Sequence, residues 1–351
     1  MYTGRLFPVS LAALSGVFPV AAAAHAPRVA PLTTVVGAFP APTTGSGPGT
    51  LAQLSLPRGS TQVGHYGTAN TSSGNSFYVG YSAITHSIYT PTVAGITYVS
   101  NSSSLQATGS FTSIPGGRIA RVVPNNNVLL VLASNAVAGY TLNSHRSLFT
   151  DAIGGNAVVL NPDGRVAFVG GNADSVITAI DVRDGKVLRT YDVPQIGGMV
   201  WAHGQIFAAD IKTGVMTVLN PATGGTVTIP TPEVDPTFSC NDIPAATAGF
   251  MQLAVGSHQG TVYAAGFSGH ILEFSATRDR YLGEIPVNAN TNNAGANQLS
   301  GLAILPGGTD ALVTVENLRE SVIVNLASGV IQRVFPSFAS NRWILVPTSK
   351  R

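Results

Sequence analysis

Disulfide chemistry is all but missing from this sequence. Cys240 is the sole cysteine, so no intramolecular disulfide forms. A chain of 351 residues is long enough to hold its fold by buried surface instead. Charge is scarce as well. Asp, Glu, Lys and Arg make up 10% of the residues, against about 25% in ordinary globular proteins. The formal net charge is +2 with no basic block, which excludes a phosphate-tracking surface and makes nucleic acid an unexpected partner. Long helices are excluded by 39 Gly and 22 Pro spread through the chain, since both interrupt helical hydrogen bonding. The mean hydropathy of +0.27 is too high for a disordered chain.

What is present begins at the N-terminus. Met1–Arg5 carries one positive charge, Leu6–Ala24 is apolar, and small residues surround His25. A basic start, an apolar stretch and small residues at the cleavage point make a secretory signal. We therefore expect residues 1–26 to be removed and residues 27–351 to form one domain, secreted to the exterior, the periplasm or the cell surface. No later run is apolar and long enough for a spanning helix. In a eukaryotic host, Asn70-Thr71-Ser72 and Asn101-Ser102-Ser103 would be glycosylation acceptors at Asn70 and Asn101.

The rest reads as repeated short strands. In Asn156–Pro194, Ala157–Leu160 is followed by the turn Asn161-Pro162-Asp163-Gly164, then by strands at Val166–Val169, Val176–Val182 and Val187–Tyr191. Pro and Asp-Gly favour tight reversals, so this stretch predicts four antiparallel strands, one propeller blade. Similar units follow Gly116-Gly117, Gly197-Gly198, Phe250 and Gly301, and a less regular one runs from Ser60 to Ile114. The flanks, Thr33–Leu56 and Trp343–Pro347, complete a seventh unit if they pair. The expected fold is an all-β propeller of four-stranded blades, seven favoured over six, with a β-sandwich as the runner-up. A monomer is expected.

The segment Asn156–Val169 with Val176–Val182 resembles a YVTN-type propeller repeat, and its strand, Pro-Asp-Gly, strand order resembles the SMP-30/gluconolactonase-like propellers. That second resemblance implies a divalent metal at the central channel, held by carboxylates and amides. Asn156 occupies the position of one such amide. The acidic ligand expected before Gly301 is replaced by Ser300, and no N-terminal Glu-Gly-Pro is present. A divalent site needs several oxygen ligands, so no metal and no other cofactor is expected.

Candidate site residues come from the ends of second strands and the long connections, which open on one face of a propeller. They are Asn135, Asn172, Asp174, Asp210 and Asn317 with Glu316, joined by Asn156 and by Asn241 and Asp242 in the long segment 230–249. Asp210 and Glu316 are the expected catalytic pair, because carboxylates are rare here and serve as general bases or bind cations and hydroxyls. The plainer alternative makes such residues turn formers. Three functional classes fit: a small-molecule enzyme acting without metal, such as a lactonase or cyclase; a non-catalytic propeller binding a ligand or an extracellular protein; and a structural secretory protein.

Overall fold

The computed structural model describes residues 33–39, 49–56, 60–66, 76, 78–171, 176–193, 196–210, 213–232, 250–287 and 298–346. It consists of seven four-stranded antiparallel sheets. Strands β1 (Thr33–Phe39), β2 (Gly49–Leu56) and β3 (Ser60–Tyr66) belong to the last blade. Blade one holds β4 (Gly80–Ser82), β5 (Ser87–Pro91), β6 (Ile96–Asn101) and β7 (Ala107–Thr112). Blade two holds β8 (Ile119–Val123), β9 (Val128–Leu132), β10 (Val137–Thr141) and β11 (Ser147–Asp151). Blade three holds β12 (Ala157–Leu160), β13 (Val166–Gly170), β14 (Val176–Asp181) and β15 (Val187–Asp192). Blade four holds β16 (Ile196–Ala202), β17 (Gln205–Asp210), β18 (Met216–Leu219) and β19 (Thr226–Ile229). Blade five holds β20 (Phe250–Val255), β21 (Thr261–Gly266), β22 (His270–Ser275) and β23 (Arg280–Pro286). Blade six holds β24 (Leu299–Ile304), β25 (Asp310–Val315), β26 (Glu320–Asn325) and β27 (Ile331–Pro336). Strand β28 (Trp343–Val346) is the innermost strand of blade seven, in the order β28-β1-β2-β3.

The protein is therefore a seven-bladed β-propeller, and the ring closes by joining its two ends. Trp343 pairs with Gly37, Ile344 with Val36, Leu345 with Val35 and Val346 with Thr34. One expected boundary moves. Ser60–Tyr66 is the outer strand of the closing blade rather than the start of the next unit, which begins at Gly80.

The strand compositions explain the stacking. Second strands are buried on both faces, as in Val128-Leu129-Leu130-Val131-Leu132, because successive side chains point to opposite neighbours. Leu129 and Val131 pack toward blade one, whereas Val128, Leu130 and Leu132 pack toward blade three. Among the described residues seven such apolar clusters occur, one between each pair of adjacent blades, and one of them joins Val36 and Leu51 of blade seven to Val79 and Ile88 of blade one. Outer strands are polar and exposed, as in Ala107-Thr108-Gly109-Ser110-Phe111-Thr112. Bulges interrupt the third-to-fourth strand pairing in blades one, two, three, five and six. Such bulges increase twist and blunt an exposed edge.

The turns after third strands repeat one device. Asn101, Asp181, Asn220 and Asn325 each accept a backbone N–H from the residue two positions on. Leu105, His145, Gly185, Gly224 and Gly329, each four residues after its strand-end partner, close the same turn by donating back to it. Among the described residues no helix is long and apolar enough to cross a membrane.

Candidate functional site

Antiparallel neighbours place successive loops on alternate faces. The connections after second strands and between blades form what we term the upper face, and the other loops form the lower face. The inner strands run from upper to lower face around a central channel. Their sequences, such as Ala157-Val158-Val159-Leu160 and Trp343-Ile344-Leu345-Val346, contain no Asp or Glu in any blade.

Among the described residues, two cavities lie along this channel. The larger has a volume of about 400 Å³ and is lined from six blades, including Tyr78 and Tyr81, Arg121 and Val122, Leu160, Ala254 and Val255, Ile304, and Ile344 and Leu345. Several of these residues end their strands, so the cavity extends toward the lower face. The smaller, about 30 Å³, is lined by Tyr78, Ile119, Ala157, Val158, Gln252, Leu253 and Arg342. These residues mostly begin their strands, so it lies above. Tyr78 and Gln252 border both.

Gln252 builds the wall between them. Its Oε1 accepts the N–H groups of Leu302 and Trp343, both at 2.8 Å, and its Nε2 donates to Trp343 O at 2.8 Å. It lies where the β20–β21 register shifts between Phe250 and Leu253. One buried amide thus ties the inner strands of blades five, six and seven, and satisfies polar backbone groups that the bulge frees.

Arg342 crosses the channel. It precedes β28 in blade seven, and its Nη2 donates to Gly197 O of blade four at 2.6 Å and to Asn156 O before blade three at 3.3 Å. The guanidinium lies 5.9 Å from the centre of the Tyr78 ring. The side chain keeps some solvent access along the channel, yet protein surrounds its charged end. Burial pushes it down to about 10, an effect the Tyr78 phenol partly opposes, so it remains a cation at neutral pH. Tyr78 itself bridges blades one and two: its N–H donates to Arg118 O, and its O accepts from Ala120 N. Arg121 Nη1 approaches the Tyr78 hydroxyl at 3.4 Å.

Of the catalytic and ligand-binding candidates singled out from sequence, Asn135, Asn156, Asp210, Glu316 and Asn317 are described; they occupy the upper face, and none of these five lines either cavity. Asp210 is buried at the end of β17, and its Oδ1 accepts the Thr213 N–H at 3.1 Å. Glu316 opens a 3-10 turn, Glu316–Leu318, and its N–H donates to Gln298 O. Asn317 Oδ1 accepts the Gln298 N–H at 3.2 Å. Asn135 is exposed in the β9–β10 turn. Asn156 gives its N–H to Gly170 O and Gly171 O, and its carbonyl to Arg342. Through that carbonyl, Asn156 reaches the channel groups by a hydrogen bond. Asn101 is half-buried, and its Oδ1 folds back onto Ser103 and Ser104. Asn70, Asn172, Asp174, Cys240, Asn241 and Asp242 lie outside the described residues.

Two other polar groups merit placement. Ser268 Oγ lies 3.0 Å from His270 Nδ1 across a tight turn on the upper face. Glu273 is raised by burial, which its bond to Tyr263 partly offsets. Neither pair borders a channel cavity. Among the described residues no three His, Cys, Asp or Glu side chains cluster as metal ligands would.

Sequence reading missed Tyr78, Arg121, Gln252 and Arg342 as channel groups. One signal was available: Arg121 interrupts the apolar strand Ile119-Ala120-Arg121-Val122-Val123 in a chain poor in charge. No protein-family model matches this chain, and no curated protein matches it.

Proposed function

We propose that this protein is an exported β-propeller, of the YVTN or gluconolactonase-like kind, that binds a small molecule in its central channel. The observation that carries the reading is the cavity of about 400 Å³ lined largely by apolar side chains. Small-molecule sites are commonly concave, apolar and of this size. The signal-like residues 1–26 and the repeat over residues 156–182 support export and kinship.

Binding without turnover fits better than catalysis. Among the described residues lining either cavity there is no Asp, Glu, His, Cys, Ser or Thr, which leaves the phenols of Tyr78 and Tyr81 as the lining groups able to carry a proton. Any lactone opening or cyclisation there would rest on orientation and hydrogen bonding.

A thermal-shift screen of the purified protein against small metabolites tests the reading. The expected result is stabilisation by at least one compound, since ligand binding to the native state raises its stability. Leu345→Trp, which inserts bulk at the channel wall, should abolish that shift. A ligand that stabilises Leu345→Trp as well as the unaltered protein would count against the channel.

The upper-face alternative makes the opposite forecast. If Asp210 and Glu316 form the site, Asp210→Asn and Glu316→Gln should each weaken binding or turnover by about tenfold or more. The channel reading expects affinity within about twofold of the unaltered protein for both. Titration calorimetry with a screening hit separates the two.

A further inference from the structure

Charge of one sign borders both channel cavities. Arg121 is the one charged side chain among the described residues around the larger cavity, and Arg342 holds that place at the smaller. Arg121 has the Tyr78 hydroxyl as its side-chain partner, and its buried Nε has no hydrogen-bond partner among the described residues. Arg342 spends Nη2 on two carbonyls, and its Nε is likewise buried without a partner. Neither is paired with a carboxylate among the described residues.

A guanidinium partly withdrawn from water and lacking a counter-ion is favourably placed to take an anionic partner. Its planar fork matches a carboxylate in two parallel hydrogen bonds, which are short and strong. The remainder of the larger cavity offers apolar walls at Ala254, Val255, Ile304 and Leu345. An ordinary apolar ligand would leave Arg121 unpaired, and a cation would be repelled by both arginines.

We propose that the channel takes a small molecule with an apolar body and one terminal carboxylate. The carboxylate pairs with Arg121 beside the Tyr78 hydroxyl, the body lies toward the lower face, and Arg342 adds positive potential from above. This inference rests on the channel reading and names its ligand class.

The test compares three probes of one chain length by titration calorimetry: decanoate, decan-1-ol and decyltrimethylammonium. Decanoate should bind saturably at one site, decanol about tenfold or more weakly, and the ammonium not measurably. Arg121→Gln keeps much of the side-chain stem and should reduce decanoate affinity about tenfold while leaving decanol unchanged. Tyr78→Phe, which removes only a hydroxyl, should cost decanoate about threefold to fivefold and serves if Arg121→Gln folds poorly.

Decanol binding as tightly as decanoate, or Arg121→Gln and Tyr78→Phe both retaining full decanoate affinity, would overturn the carboxylate assignment. If those probes still lose binding in Leu345→Trp, the channel reading survives that failure. No saturable decanoate binding would also overturn the assignment, leaving the metabolite screen to judge the channel. If both probes bind Leu345→Trp unchanged, the channel itself is wrong.

Discussion

A chain ending at Arg342 is expected to lose cooperative folding. Deleting residues 343–351 removes β28, the inner strand of blade seven, and with it the pairing that joins the two ends of the ring. Trp343 is 1% exposed and belongs to the cluster that packs blade six on blade seven. Loss of a buried Trp side chain alone costs about 3–5 kcal/mol. The deletion also strips Gln252 of its Trp343 partners and Thr314 Oγ1 of the indole Nε1–H at 2.8 Å. It leaves β1 as an unpaired inner edge, a template for association. The sum is comparable to the whole stability of a typical domain, about 5–15 kcal/mol. Chemical denaturation followed by far-ultraviolet circular dichroism should show either no cooperative transition or a midpoint far below that of the intact chain. An unchanged midpoint would mean that the C-terminal strand closes nothing.

Gly301→Ala is expected to be strongly destabilising. Gly301 lies on β24, facing the point where blades six and seven meet. A Cβ there would overlap Ser340 O and come within 2.8 Å of Trp343 Cδ1 and 2.9 Å of Thr314 Oγ1. These neighbours have little freedom. Ser340 O accepts from Thr314 Oγ1 at 2.7 Å, and Ser340 Oγ donates to Ala38 O at 2.8 Å. Moving the Ser340 carbonyl therefore disturbs bonds across two blades. Overpacking of this kind costs about 1–3 kcal/mol, and more where backbone must shift. We expect about 3 kcal/mol or more, read as a lower melting temperature by calorimetry. A melting temperature within about 2 °C of the unaltered protein would show that the junction is looser than its packing implies.

Much of the fold is legible in the sequence because stacked blades leave a plain pattern. The segment from residue 156 to 194 predicts strands at 157–160, 166–169, 176–182 and 187–191. The structure has them at Ala157–Leu160, Val166–Gly170, Val176–Asp181 and Val187–Asp192. Apolar runs buried on both faces, cut by Pro, Gly and Asp, carry that signal. The flanks reveal ring closure for a similar reason: Trp343–Val346 is apolar and has no partner strand nearby in sequence.

Ser60–Tyr66 shows where the pattern fails. Its sequence, Ser-Thr-Gln-Val-Gly-His-Tyr, is exposed over its first four residues. An outer strand of that composition does not announce which blade it joins. The channel is harder still to read. Tyr78, Arg121, Gln252 and Arg342 converge only when four different blades close into a ring. Arg342 follows Ser340-Asn341 in an ordinary loop-like run, and nothing local marks its reach to Gly197 on the far side. Rarity of carboxylates pointed instead to Asp210, whose Oδ1 is engaged by the turn at Thr213. A scarce residue type signals a constraint, and turn geometry is a constraint as much as chemistry is.

The most direct measurement is a crystal structure of the protein with a stabilising ligand from the metabolite screen. The expected result places the ligand within the ring, its body against Ala254 and Ile304 and its acidic group within hydrogen-bond distance of Arg121. A ligand seated on the upper face beside Asp210 or Glu316, with the channel empty, would contradict it.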